Sequence, residues 1–596
     1  MTRVTALLAS LLLLAACQPV TTPSSKPSQS SDPLAAADAK LFSGDYDGAE
    51  TAYKKLVDGG DRSAQAHYAL LLDYENRFGE AVAQARAASA ASPGSVSLAR
   101  LTRALDWSED ITGALDAGSR AVKSNPVDPL AHVYYSEALA DNARFELART
   151  ELQAGEKSAR DAYTSAEVDR EWSNYYRGKG DTLEELNHLQ LSLKAQPAFP
   201  ERVLELVRYQ YAAQKPDAAR ALLAGLRKKR SGDYGVDVAA GDSAFLHADA
   251  TTAEAFYQAA LKVRPNGPAA SLGYAELDVA VKRDFSAGHD LLLASLKANP
   301  DSAEVYTYLR FLDLLVLKTD PAPELAEIQP KAPAAPAAQG KEAFDRVNSY
   351  RASLGLAAVA EAAHVSESAL AHSYFYLFNF GQPAVLDLKV HDEDPTLPGA
   401  FGADPIARAQ HFGYSAKRMA EVISHAYLPK AAVDRWMDTV FHRYPITNPE
   451  SARAGYGQAQ VGALSIQVLD FDLGDPTKQG LVVYPAPDQQ NVPSAFLGGE
   501  IPDPAPNARY PTGYPITLAV GSGSTLAVSA AELDGPDGKA LNGYVIAAGG
   551  GGLSDNEWAV LPHDPLLPAG RYTMKVAGTI DGQSFAKVWS FTTTGS

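Results

Sequence analysis

Residues 436–443 read Trp436-Met437-Asp438-Thr439-Val440-Phe441-His442-Arg443, a helical stretch running into an aromatic, imidazole and guanidinium in sequence. It lies near the end of the segment Phe344–Tyr456, which holds six of the chain's twelve histidines and several carboxylates. Upstream, Phe344, Val347, Tyr350, Arg351 and Leu354 recur at helical spacing and stop at Gly355, a residue suited to a left-handed C-cap. A second helix is expected from about Val365, with Ala369, His372, Ser373 and Tyr376 on one face. A loop then carries His391-Asp392-Glu393-Asp394-Pro395, and a third helix covers about Pro405 to His411. After Gly455-Tyr456-Gly457, alternation from Val461 to Val468 predicts a strand. Helices on a small antiparallel sheet are the natural assembly, an α+β domain over 341–484.

This layout resembles the bacterial branch of the CAP superfamily, also called SCP or cysteine-rich secretory domains. The resemblance rests on Val347-Asn348-x-Tyr350-Arg351-x2-Leu354-Gly355-Leu356 as the opening motif, and more loosely on Ala371-His372-Ser373. Trp436-Met437-x-Thr439-x2-His442-Arg443 and the late Gly455-Tyr456-Gly457 complete it. It implies an α-β-α sandwich with a ligand cleft, in which His391 and His442 are the cleft histidines and Glu421 the cleft acid. Glu393 is an alternative acid, because the loop around His391 aligns least well. Val390, Val422 and Val440-Phe441 depart from the family's serine, asparagine and Pro-Gly, which touches the polar network more than the fold.

Chemically, two imidazoles and a carboxylate can hold one divalent ion such as zinc, with His391 and His442 as ligands. They can equally serve as a general acid/base pair, since histidine titrates near neutral pH. Glu421 also reads as a carboxylate satisfying backbone donors at a helix start. His372 and Trp436 read as core residues, and His364, His411 and His425 as surface or satisfied interior groups. No nucleophile stands out: there is no G-x-S-x-G and no H-E-x-x-H, and nothing marks Ser373 or Tyr376 as activated. The resemblance implies a ligand cleft more securely than catalysis, so binding is the preferred activity and an enzyme the less favoured reading.

The rest of the chain places this module. With 596 residues the chain is too long for one core. A net charge of −18 argues against nucleic acid, which needs clustered Lys and Arg. Residues 1–17 (MTRVTALLASLLLLAAC) have the layout of a cleaved export signal, and Leu14-Ala15-Ala16-Cys17 resembles a bacterial lipobox. That implies acylation of Cys17 and a lipid-anchored protein of the bacterial cell envelope, on the periplasmic or outer-surface side. Cys17 is the single cysteine, so no internal disulfide is available and the domains must rely on packed cores. Residues 18–32, rich in Ser, Pro and Thr, read as a disordered tether.

From 33 to 318 an Ala- and Leu-rich stretch is punctuated by Pro93, Pro126, Pro197, Pro265 and Pro300, at one or two units of about 34 residues. Gly44-Asp45-Tyr46-x2-Ala49-x3-Tyr53 and its variants at Phe145, Ala219 and Phe285 set a small residue four positions before a large one. The expectation is an all-α, tetratricopeptide-like solenoid that binds a protein or peptide partner. Residues 319–340 read as a Pro/Ala linker. Residues 485–596, with Gly/Pro turns between β-forming runs and a closing Trp589-Ser590-Phe591-x-Thr593, resemble a bacterial Ig-like sandwich. The preferred function is a lipid-anchored binder of a lipid or envelope component. The rivals are a metal-assisted or acid/base hydrolase of an envelope polymer or peptide, and a scaffold acting through its repeats.

Overall fold

Pro33–Ser43 and Tyr46–Asp58 form the first of eight antiparallel helix pairs that run to Ala298 in a computed structural model describing residues 32–230, 232–328, 335–478 and 480–595. The expected export signal, Cys17 and most of the expected tether lie outside the described residues. The first helices of later pairs begin at Arg62, Ser95, Pro129, Ala162, Pro200, Tyr234 and Pro268, which holds the period near 34 residues. Local chemistry explains the starts. Asp32, Asp45, Asp61, Asp110, Asp128, Asp161, Asp181, Asp233, Asp249 and Asp284 each accept a backbone N–H of the first helical turn. Each such cap is worth about 1 kcal/mol.

Ala49, Ala81, Ala114, Ala148, Ala219 and Ala253 are fully buried at the same position of six of the second helices, while Glu185 takes that place in the fifth pair. Gly288 takes that place in the last pair, where a Cβ would meet the Val279 side chain at 2.9 Å. A small residue there lets the two helices of a pair approach, as the sequence spacing implied. The turn within a pair needs one left-handed residue. Glycine supplies it at Gly44 and Gly180, whereas Asn76, Glu109, Ala143, Gln214 and Ala248 adopt it at φ between 54° and 68°.

The superhelix closes on itself. The amide of Tyr46 donates to Asp233 Oδ2 (2.8 Å) and the amide of Tyr234 to Asp47 Oδ2 (3.0 Å), joining the first pair to the seventh. Inside the ring, side chains of the first helices fill the concave face as a buried ion network. Arg170 grips Glu137 with both Nη atoms at 2.6 Å, and Arg103 donates to Glu167 at 2.9 Å. Arg202 also pairs with Glu167, and Arg103 stacks over Trp107 at 3.9 Å. These charges are at most 4% exposed, so the concave face is occupied by the chain itself.

The last two first-type helices end in π segments, Leu277–Lys282 and Leu312–Leu317. The stretch read as a linker holds a short helix, Ala322–Ile328, and the first turn and a half of Ala335–Ser353. The central module then builds a four-stranded sheet in the order Ala360–Glu361, Arg453–Val461, Leu464–Asp472, Met419–Ser424, antiparallel except for the first pairing. Helix Ala363–Phe378 lies directly on it. A Cβ at Gly455 or Gly457 would meet the backbone of Val365 or Leu370 at 2.1 Å, so the Gly-x-Gly step is where helix and strand touch.

This module is packed against the solenoid and not strung beyond it. Phe311 stacks on Tyr374 (5.1 Å), Arg283 donates to the Phe378 carbonyl (2.6 Å), and Lys430 pairs with Asp110 (2.9 Å). The C-terminal region forms two antiparallel four-stranded sheets with a shared apolar interior that includes Leu518, Trp558, Met574 and Phe591. Val482–Tyr484 pairs with Ile516–Ala519 in one of them. The boundary expected at residue 484 therefore moves back: the central module ends with the strand at Asp472, and the residues just before 485 belong to the β region.

Candidate functional site

Glu421 is central to the site, and it stands on the edge strand Met419–Ser424 rather than at a helix start. Its side chain is 2% exposed. Oε1 lies 2.9 Å from Nδ1 of His391 and 3.7 Å from Nε2 of His372, while Oε2 pairs with Arg408. Arg408, on helix Pro405–His411, also donates to the His391 carbonyl at 3.0 Å. Burial favours a neutral carboxyl. Even so, the charges of Arg408 and His372 and the hydrogen bond from His391 hold Glu421 well below the usual carboxylate range. Asp470 is its cross-strand partner, fully buried. Desolvation and the Glu421 charge push Asp470 well above the normal range, so it is kept neutral beside an ionised Glu421.

Behind Glu421 a second pair fixes the loop. His372 is 1% exposed, with Nδ1 2.9 Å from Glu393 Oε1 and Nε2 2.9 Å from the Val390 carbonyl. Both ring nitrogens face acceptors, one on each side of the ring. The other oxygen of Glu393 accepts the amides of Phe401 (2.7 Å) and Gly402 (3.1 Å). Helix Ala363–Phe378 thus holds both ends of loop 390–402 through one imidazole, and that loop presents His391. His391 is the open member: its side chain is 28% exposed, Nδ1 is engaged by Glu421, and Nε2 has no hydrogen bond among the described residues.

His442 is elsewhere. Its Nδ1 lies 2.9 Å from Oε1 of Glu500, a residue of the C-terminal region. Glu500 also accepts the amides of Val440 (2.8 Å), Phe441 (2.6 Å) and His442 (3.1 Å). Next to it, Arg443 is fully buried, donating to the carbonyls of Met437 (2.7 Å) and Pro515 (2.8 Å). Val440 and Tyr444 share an apolar cluster with Phe496, Ile546 and Leu553. Where the family has Pro-Gly, Val440-Phe441 supply the apolar surface on which the β region sits.

The structure therefore joins His391 to Glu421 and takes His442 into the interface with the β region. His391, Glu421 and His442 do not form a set of donors within 4.8 Å of one another. As arranged they do not fit a single zinc ion. Trp436 is 2% exposed and donates to the Ile423 carbonyl (3.0 Å), in keeping with a core role. His372 is core in burial but belongs to the site by contact. Sequence reasoning placed it inside and missed its charge partners, although Glu393 was the alternative acid. Arg408 lies in no motif, so its spacing alone does not mark it. His425 is exposed, edge-on to the Tyr376 ring, and partial desolvation of the imidazole lowers its pKa.

Comparison with known proteins agrees with the central module. Residues 344–471 match the family model of the cysteine-rich secretory protein family, CAP, so the chain carries a CAP domain in that span. Among curated proteins none matches this chain. Of solved structures, a tetratricopeptide repeat protein from Parabacteroides merdae is 11% identical over 40% of this chain and 95% of its own, with a TM-score of 0.26. An extracellular SCP-domain protein from Bacillus anthracis is 20% identical over 23% of this chain and 40% of its own, at 0.19. Pseudomonas aeruginosa pilF is 16% identical over 36% and 96%, at 0.23. Among the described residues no helix is long and apolar enough to cross a membrane.

Proposed function

We propose that the CAP domain binds a polar group of a lipid or other envelope component at His391, in a protein anchored to the bacterial envelope through Cys17. One observation carries this reading. A buried, ionised Glu421 fixes Nδ1 of His391 and leaves Nε2 unpartnered on a partly exposed side chain. An imidazole oriented in this way accepts a hydrogen bond from a ligand hydroxyl or amine without first reorganising. The β region is read as an Ig-like cap that immobilises the His442 loop. The repeats are read as the protein-binding arm, and because their concave face is filled, a partner would dock on outer helices or turns.

Acid/base hydrolysis is the second reading, favoured by the same pair, since a carboxylate-oriented histidine is also the geometry of a general base. It would work through His391 alone, because His442 is held by Glu500. The test is co-sedimentation of the chain bearing Cys17→Ser with vesicles of phosphatidylethanolamine and phosphatidylglycerol, and with solubilised peptidoglycan fragments. Binding to either that weakens at least tenfold in His391→Ala supports the reading. Equal binding by wild type and variant, or none to either probe, contradicts it.

A further inference from the structure

At the C-terminal end of the solenoid, three side chains from three separate elements converge. His289 lies on helix Phe285–Ala298, Asp313 in the π segment Leu312–Leu317, and Glu324 on helix Ala322–Ile328. Their donor atoms all lie within 4.8 Å of one another, the one such group of three among the described residues. Nε2 of His289 is 3.3 Å from Asp313 Oδ1 and 3.4 Å from Glu324 Oε2. Those separations match the edge of a tetrahedron around zinc, about 3.4 Å for metal–ligand bonds of about 2.1 Å.

A second observation concerns Asp313 itself. It is 2% exposed, yet Oδ1, the oxygen facing His289, accepts no hydrogen bond. A buried carboxylate oxygen left without a donor is costly, and a cation satisfies it. The π segment matters too, because widening the helix by one residue per turn re-aims the side chains it carries. The far nitrogen of the ring is also held: Nδ1 of His289 is 3.2 Å from Asp290 Oδ1, the carboxylate–histidine arrangement that orients metal-binding imidazoles. Glu324 is half exposed, leaving a solvent side through which an ion can enter and water can complete the shell.

We propose that His289, Asp313 and Glu324 bind one divalent transition-metal ion of the zinc class, which pins helix Ala322–Ile328 to the last repeat. That helix begins the connection to the CAP domain, so the ion would stiffen the joint between the two parts. The donor set of one imidazole and two carboxylates suits zinc or manganese better than calcium, which prefers an all-oxygen shell.

The test uses the whole exported chain, purified without a histidine tag and stripped with chelator. Zinc chloride is titrated by calorimetry, and bound metal is counted by mass spectrometry. The expected result is one equivalent, bound at least tenfold more weakly by Glu324→Gln and lost in His289→Gln. Both variants change partly exposed side chains, and circular dichroism checks that they fold. The double variant His391→Ala/His442→Ala keeps the equivalent. No zinc bound by the folded wild type would overturn the proposal and leave His289 as an ion-pair partner only. Undiminished binding by both repeat variants, or loss in the CAP double variant, would overturn it as well.

Discussion

Glu500 holds His442: its Oε1 is 2.9 Å from the imidazole Nδ1, and its two oxygens also accept the amides of Val440, Phe441 and His442. A carboxylate thus sits where backbone N–H groups gather ahead of helix Arg443–Thr447, a favoured anion position. The contact ties the CAP domain to the β region and withdraws His442 from ligand chemistry.

Removing that carboxylate should loosen the interface. Glu500→Ala leaves three amides and an imidazole without their acceptor, and breaking a buried charged contact of this kind costs roughly 3–5 kcal/mol. Urea unfolding should show that loss, with a new transition in which the β region separates first. An unchanged unfolding curve would mean that the apolar cluster around Val440 and Tyr444 holds the interface without help.

Asp73 gives the solenoid a pH signature. It is 1% exposed, neither oxygen is hydrogen-bonded, and burial pushes its pKa up to about 8. A carboxyl whose folded pKa is raised binds more protons folded than unfolded, so its contribution is full below the unfolded pKa and is lost as pH rises to about 8. Asp73→Asn should therefore be more stable than wild type above pH 8 and should flatten the decline in stability between about pH 4 and 8. Thermal unfolding across that range tests it; parallel curves for the two proteins would contradict it.

The turns within the repeats offer a stabilising change. Ala143 sits at φ 54° and Ala248 at φ 60°, where a Cβ costs about 1–2 kcal/mol. Against this, glycine loses more chain entropy on folding, roughly 0.5–1 kcal/mol. Ala143→Gly and Ala248→Gly should each stabilise by a few tenths to about 1 kcal/mol, read as a higher urea midpoint. A lower midpoint in both would show that those turns are not strained.

Much of this architecture was legible because it is written locally. Proline punctuation and the Ala49-type spacing set the repeats, and the helix expected over Pro405 to His411 is found at Pro405–His411. Gly455-Tyr456-Gly457 marked the helix–strand contact. What was not legible depends on distant partners. Closure of the superhelix needs Asp47 and Asp233, far apart in sequence, to exchange amides with Tyr234 and Tyr46. His372 on an apolar helix face resembles any core histidine until Glu393 folds back onto it. His442 matched its motif, yet its partner Glu500 lies in another domain, and the motif holds no information about that residue. The boundary at 484 failed for a related reason, since Val482–Tyr484 is a β-forming run that either neighbour could claim until its pairing is known.

The proposed binding role requires that Glu421 orients His391 and leaves Nε2 for a ligand. Selective 15N labelling of histidine, with long-range proton–nitrogen correlation at pH 8, tests it most directly on wild type and Glu421→Gln. The predicted result is a His391 ring protonated at Nδ1 in the wild type, with Nε2 bare, and loss of that preference in Glu421→Gln. A wild-type His391 protonated at Nε2, unchanged by the substitution, would contradict the account.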